Sequence, residues 1–107
     1  MFEVLKYLFS TQRSSRLSQL IKEDAFLVDV RSPEEFASGH ARSSVNIPLD
    51  KIPEQLHRFK DKQNIIVFCK SGMRSRQAKA LLEQNGIVNV TNAGSWENIN
   101  RIINSNT

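Results

Sequence analysis

The sequence predicts an α/β domain with a mostly parallel central sheet and helices on both faces, and three observations carry that prediction. Ala25-Phe26-Leu27-Val28-Asp29-Val30 and Asn64-Ile65-Ile66-Val67-Phe68-Cys69 are nearly unbroken apolar runs, the pattern of strands covered on two faces rather than one. Helical periodicities lie between the strand candidates, so strand and helix alternate along the chain. The length of 107 residues suits one compact domain with a modest core and leaves no room for two.

The elements follow in order. Phe2, Leu5 and Phe9 recur at helical spacing with Leu8 beside them, which predicts a short amphipathic helix in an N-terminal extension, residues 1–14. Packing on the core is its simplest role, and docking to a partner is the sharper one. After a polar stretch from Ser10 to Ser15, Leu17, Leu20 and Ile21 predict a second helix capped by Ser14 or Ser15, opening a domain that spans residues 15–107. Beyond the first apolar strand, Pro33 starts a short helix over Glu34 to Ser38 that Gly39 stops. Val45-Asn46-Ile47 and Ile87-Val88-Asn89-Val90-Thr91 are shorter strand candidates. Ile52, Leu56 and Phe59 line one helix with Pro53 in its first turn, and Ala78, Leu81 and Leu82 line another that Gly86 ends. Trp96, Ile99 and Ile103 line the last, with Ser95 as its N-cap.

Composition narrows the function. At 39% hydrophobic and 24% charged, the chain is an ordinary globular one and not a disordered segment. A formal charge of +4 favours small anions or an acidic partner. The basic residues are scattered and stacking aromatics are lacking, which argues against nucleic acid as a partner. The single cysteine excludes an internal disulfide and fits a reducing compartment, here expected to be the cytoplasm. Glu3 and Lys6 interrupt the short apolar start, so neither a signal peptide nor a membrane span is expected there.

In parallel α/β sheets the ligand crevice opens at the C-terminal ends of the strands. Two polar clusters sit at such ends: Asp29-Val30-Arg31, and Cys69-Lys70-Ser71-Gly72-Met73-Arg74-Ser75. The nucleophilic form of cysteine is the thiolate, which needs positive potential around it. A tight loop can turn backbone N–H groups inward as an anion nest, and the following helix adds its N-terminal dipole. Gly72 permits the backbone such a turn requires, and Lys70 and Arg74 bring full charges. A lone cysteine at a strand end is often only a small buried hydrophobe, but a passive core residue needs no cationic loop. Ser71 and Ser75 are candidate substrate contacts, and Ser75 is equally a candidate cap of the next helix.

The arrangement Cys69-x-x-Gly72-x-Arg74-Ser75 resembles the active-site loop of rhodanese-like sulfurtransferases. So do Asp29-Val30-Arg31-Ser32-Pro33-Glu34-Glu35-Phe36 with Gly39-His40, Asn46-Ile47-Pro48, and Ala93-Gly94-Ser95-Trp96. The resemblance covers about residues 15 to 104, with four separate blocks in the family's order. The chain departs at Ala41-Arg42-Ser43-Ser44, where the family has an apolar residue and a Pro-Gly-Ala-like turn, and at Ala93-Gly94, where it has Gly-Gly. The resemblance implies a rhodanese-like three-layer fold and a two-step reaction. Cys69 takes sulfur from thiosulfate or another sulfane donor, then passes it from a persulfide to cyanide, a thiol or a protein cysteine. It also implies structural support from Asp29, Arg31, Glu35 and His40, with Asp29 and Arg31 bonding backbone and Glu35 or His40. No metal or organic cofactor is implied, and neither histidine has ligand spacing to a second ligand.

Two other functions compete. Cysteine-dependent phosphatases and arsenate reductases place five residues between Cys and Arg; here only Lys70, Ser71, Gly72 and Met73 intervene, a loop one residue shorter that a phosphoryl group would fit poorly. The second is a non-enzymatic interaction module, or a carrier whose sulfur donor and acceptor are proteins. With no second cysteine to resolve a persulfide, sulfur must leave to another molecule.

Overall fold

The computed structural model describes residues 2–106, with side chains from residue 12 onward. In chain order it contains α1 (Phe2–Lys22), β1 (Phe26–Asp29), α2 (Pro33–Ser38), β2 (Val45–Asn46) and two 3₁₀ turns (Leu49–Glu54 and Leu56–Arg58). Then come β3 (Ile65–Cys69), α3 (Met73–Gln84), β4 (Val90–Ser95) and α4 (Trp96–Ser105). The strands form one sheet in the order β2-β1-β3-β4, with every neighbouring pair parallel. Parallel neighbours need crossover connections, and these connections place helices on both faces. The expected α/β architecture is the observed one.

β3 shows the layering residue by residue. All five of its residues are buried. Ile65, Val67 and Cys69 enter a core with Val28, Ile52, Phe59, Ala78 and Leu82, under α3 and the 3₁₀ turns. Ile66 and Phe68 point the other way, into a core with Leu17, Leu20, Leu27, Ile99 and Ile103 under α1 and α4. Alternate residues of a strand face opposite sides, so a continuous apolar run fills both cores at once. The same alternation puts the Cys69 side chain on the α3 face.

Local chemistry explains the helix ends. Ser32 caps α2 in a capping box: its hydroxyl accepts from the Glu35 N–H, and the Glu35 carboxylate accepts from the Ser32 N–H. The Ser95 hydroxyl accepts from the Asn98 N–H to start α4.

Four expectations change. The polar stretch Ser10 to Ser15 does not separate two helices; α1 runs unbroken from Phe2 to Lys22. That stretch holds no Pro or Gly to interrupt the ladder. The expected contacts of Phe2, Leu5, Leu8 and Phe9 lie outside the described side chains. The segment with Ile52, Leu56 and Phe59 forms two 3₁₀ turns instead of an α-helix; Pro53 lacks the N–H an α-turn there would use. Finally, β4 lies three residues later than expected, at Val90–Ser95, leaving Val88 75% exposed ahead of it. Ser75 does not cap α3: Gly72 is the N-cap and Ser75 sits inside the first turn.

Candidate active site

β3 delivers Cys69 to the C-terminal edge of the sheet, and the chain turns through Lys70, Ser71 and Gly72 into α3. Gly72 has φ +100 and ψ −8, which a residue with a side chain adopts only at a cost. This turn aims the Gly72 N–H at Cys69 Sγ, 3.0 Å away. The Ser75 hydroxyl lies 3.5 Å from the same sulfur. Cys69 is only 1% exposed. Burial pushes its thiol up, but the Ser75 hydroxyl and the N–H groups of Ser75, Gly72 and Ser71 outweigh burial and leave it below its ordinary value. The loop thus turns the Gly72 N–H and the Ser75 hydroxyl toward the sulfur.

The side-chain cations behave differently from expectation. Lys70 points away to Glu97 at the start of α4, at 3.2 Å, and both are exposed. Arg74 forms a two-pronged pair with Glu35 of α2, Nη1–Oε1 2.6 Å and Nη2–Oε2 3.0 Å. This pair holds the Glu35 carboxyl down at about 2, chiefly through the Arg74 hydrogen bond, and raises Arg74 in turn. Ser71 is exposed, and Met73 is 67% exposed at the loop's outer side.

Asp29 and Arg31 are buried against each other, Nη2–Oδ2 2.7 Å. Arg31 also donates to the Gly39 carbonyl at 2.6 Å and lies over the Trp96 ring, 4.7 Å from its centroid. Arg31 thus joins β1 to the end of α2 and to α4. Its side chain bonds Asp29 and the Gly39 carbonyl rather than Glu35 or His40, which corrects the expected connection: Glu35 serves the loop through Arg74. His40 is exposed, stacks on Phe36 at 3.9 Å and bonds the Phe36 carbonyl at 2.8 Å, one turn back in α2.

The rhodanese-like domain family model matches residues 14–101. The chain belongs to the rhodanese-like domain family. It is 37% identical over 81 residues to a sulfurtransferase of Allochromatium vinosum, covering 74% of this chain and 76% of that one. It is 36% identical over 74 residues to the thiosulfate sulfurtransferase PspE of Escherichia coli, covering 67% and 71%. The solved structure of a rhodanese with anions from E. coli superposes with a TM-score of 0.63 at 33% identity, covering 69% of this chain and 89% of that one. Sulfur transfer is the chemistry these relatives support.

Two hollows flank the loop of this rhodanese-like domain. One, of about 380 Å³, is lined by Val30, Pro33, Pro48, Leu49, Lys51 and Arg74. The other, of about 280 Å³, is lined by Arg13, Ser71, Gly72, Arg76, Asn92 and Gly94. Among the described residues, no three His, Cys, Asp or Glu side chains gather into a metal-binding group, and no described helix is long and apolar enough to cross a membrane.

Sequence reasoning missed two residues. Asn92 of β4 bonds both Ser75 and Gly72. Arg13 of α1 donates to the Asn92 carbonyl at 2.7 Å. An Asn inside a strand is uncommon, and that is the one signal that could have marked Asn92. Arg13 carries none, because its partner is 79 residues away in sequence.

Proposed function

We propose that this protein moves a sulfane sulfur from thiosulfate or a related anionic donor to cyanide or a thiol through a persulfide on Cys69. The observation that carries the reading is the set of donors converging on one buried sulfur: Gly72 N–H at 3.0 Å and the Ser75 hydroxyl at 3.5 Å. Neutral donors of this kind stabilise a single anionic sulfur without sequestering it in a permanent ion pair.

In the first step the Cys69 thiolate attacks the outer sulfur of thiosulfate. The new S–S bond forms as the donor's S–S bond breaks, and sulfite leaves with that electron pair. The outer sulfur then stands about 2 Å beyond Sγ, carrying the negative charge toward the mouth of the loop. In the second step cyanide or a thiolate attacks that outer sulfur, and Cys69 departs as a thiolate. Gly72 and Ser75 form the cradle in this reading, Lys70, Ser71, Met73 and Arg74 make up the rest of the loop around it, and Asp29, Arg31 and Glu35 keep its flanks in place. The single thiol leaves no internal route for discharge, so the acceptor is always another molecule, and a protein cysteine qualifies. A reducing cytoplasm suits such a thiol.

The test is the intact mass of the reduced protein after incubation with thiosulfate, beside Cys69→Ser, followed by a thiocyanate assay on adding cyanide. The parent alone is expected to gain one sulfur atom and release it as thiocyanate. A parent that gains no sulfur from thiosulfate but does from a protein or low-molecular persulfide would move the reading to a protein sulfur carrier. No gain from any donor would refute it.

A further inference from the structure

We infer that Asn92 is a positioning residue for the sulfur chemistry: from β4 it governs where the Ser75 hydroxyl sends its proton and how the Gly72 peptide faces Cys69. The inference rests on Cys69 being the sulfur carrier.

The Asn92 amide spans the loop. Its Oδ1 accepts from the Ser75 hydroxyl at 2.7 Å and from the Gly94 N–H at 3.0 Å, while its Nδ2 donates to the Gly72 carbonyl at 3.2 Å. Its orientation is forced, because the Gly94 N–H can only donate and the Gly72 carbonyl can only accept. The amide oxygen therefore faces Ser75. One hydroxyl carries one proton, so Asn92 Oδ1 at 2.7 Å and Cys69 Sγ at 3.5 Å compete for it.

The charge on sulfur decides that competition. A neutral thiol is a weak acceptor, and the amide oxygen holds the proton. A thiolate or persulfide anion makes a charge-assisted bond, which is stronger, and the hydroxyl turns toward it. When the hydroxyl turns, the Gly94 N–H still satisfies the amide oxygen. Asn92 also pins the carbonyl of Gly72, the residue whose N–H faces Sγ. Arg13 steadies the strand at this point through the Asn92 carbonyl, which brings α1 into the same network.

The charged groups nearest the loop are Arg74 of α3 with Glu35 of α2, Asp29 with Arg31 at β1, Lys70 with Glu97 of α4, and Arg13 of α1. Arg76 is exposed on the first turn of α3. Substituting the Asn92 side chain leaves these pairs in place, and the charge that Asn92→Asp adds acts on Cys69 with or without Ser75, so the part of a Cys69 shift that requires Ser75 reports on the hydroxyl.

The experiment is the rate of Cys69 alkylation by iodoacetamide against pH, with circular dichroism to verify folding and thiosulfate loading by mass run in parallel. Asn92→Asp keeps the size but replaces the Gly72 donor with a carboxylate that retains the Ser75 proton. The alkylation midpoint is expected to rise by about one pH unit, a roughly tenfold slower reaction below it, with the limiting rate at high pH unchanged. In a Ser75→Ala background the effect should shrink by about threefold or more. A folded Asn92→Asp protein with the parental midpoint, or the same shift without Ser75, would overturn the inference. Should Asn92→Asp not fold, Asn92→Ala and Ser75→Ala decide it: coupled midpoints support the relay and additive ones refute it. Failure of the carrier reading is separable. A parent that takes up no sulfur yet titrates in response to Asn92 sinks the persulfide and keeps the positioning role; the reverse pattern sinks the positioning role alone.

Discussion

Replacing Gly72 by alanine tests the geometric basis of the cradle. Gly72 has φ +100 and ψ −8, where any Cβ costs about 1–2 kcal/mol. That Cβ would also lie 3.3 Å from the Gly94 Cα, tighter than ordinary contact, so the Gly94 backbone would have to give by a few tenths of an ångström. Overpacking of this kind adds about 1–3 kcal/mol, so the expected loss is about 3 kcal/mol of a total of about 5–15 kcal/mol. For a domain of this size that lowers Tm by about 10 °C or more. Gly86→Ala is the internal control. It has φ +83 but no atom within 4 Å of the new Cβ, so only the conformational cost of about 1 kcal/mol is expected. Urea unfolding gives both stabilities, and iodoacetamide titration reports whether the Gly72 N–H still faces the sulfur. Gly72→Ala should lose more stability than Gly86→Ala and raise the alkylation midpoint. Equal losses in the two variants, with an unmoved midpoint in the first, would refute both the contact and the role of that N–H.

Two further outcomes are expected. Asp29→Ala strands the buried Arg31, whose ion partner is gone, and should cost about 3–5 kcal/mol in denaturant unfolding; a loss under about 1 kcal/mol would mean the pair does not hold β1 to α2. Glu35 has a folded pKa of about 2, below its ordinary 4.5, so its contribution is present above pH 4.5 and disappears as pH falls from there toward 2. Solvent screening of this half-exposed pair limits that contribution to about 1 kcal/mol. The parent minus Glu35→Gln difference in stability should therefore vanish across that acid range, and a difference independent of pH would show that the ion pair is not its source.

Much of this protein is set within short stretches of chain. The both-face apolar runs around Val28 and Val67 dictate buried parallel strands, because a strand alternates its side chains and both cores need filling. Ser32 with Glu35 and Ser95 with Asn98 cap their helices through bonds spanning three residues, so those starts were readable locally. The Cys69-to-Ser75 loop was equally legible, since the thiol, its glycine turn and the following helix are contiguous. Where the sequence misled, the cause was a weak local signal: a polar stretch without Pro or Gly does not stop α1, and one proline turned an apparent helix into 3₁₀ turns.

Tertiary structure alone decided how charges and donors are distributed around the sulfur. From sequence, Lys70 and Arg74 appeared as the cradle's positive charge; folding gives them to Glu97 and Glu35, 27 and 39 residues away. The donors on the sulfur are instead the Gly72 N–H and the Ser75 hydroxyl. Asn92 and Arg13 enter only because β4 pairs with β3 and α1 packs on the sheet's other face. Periodicity and caps act over a few residues and can be read along the chain, whereas hydrogen bonds and ion pairs act over a few ångströms and depend on which distant segments the fold brings together.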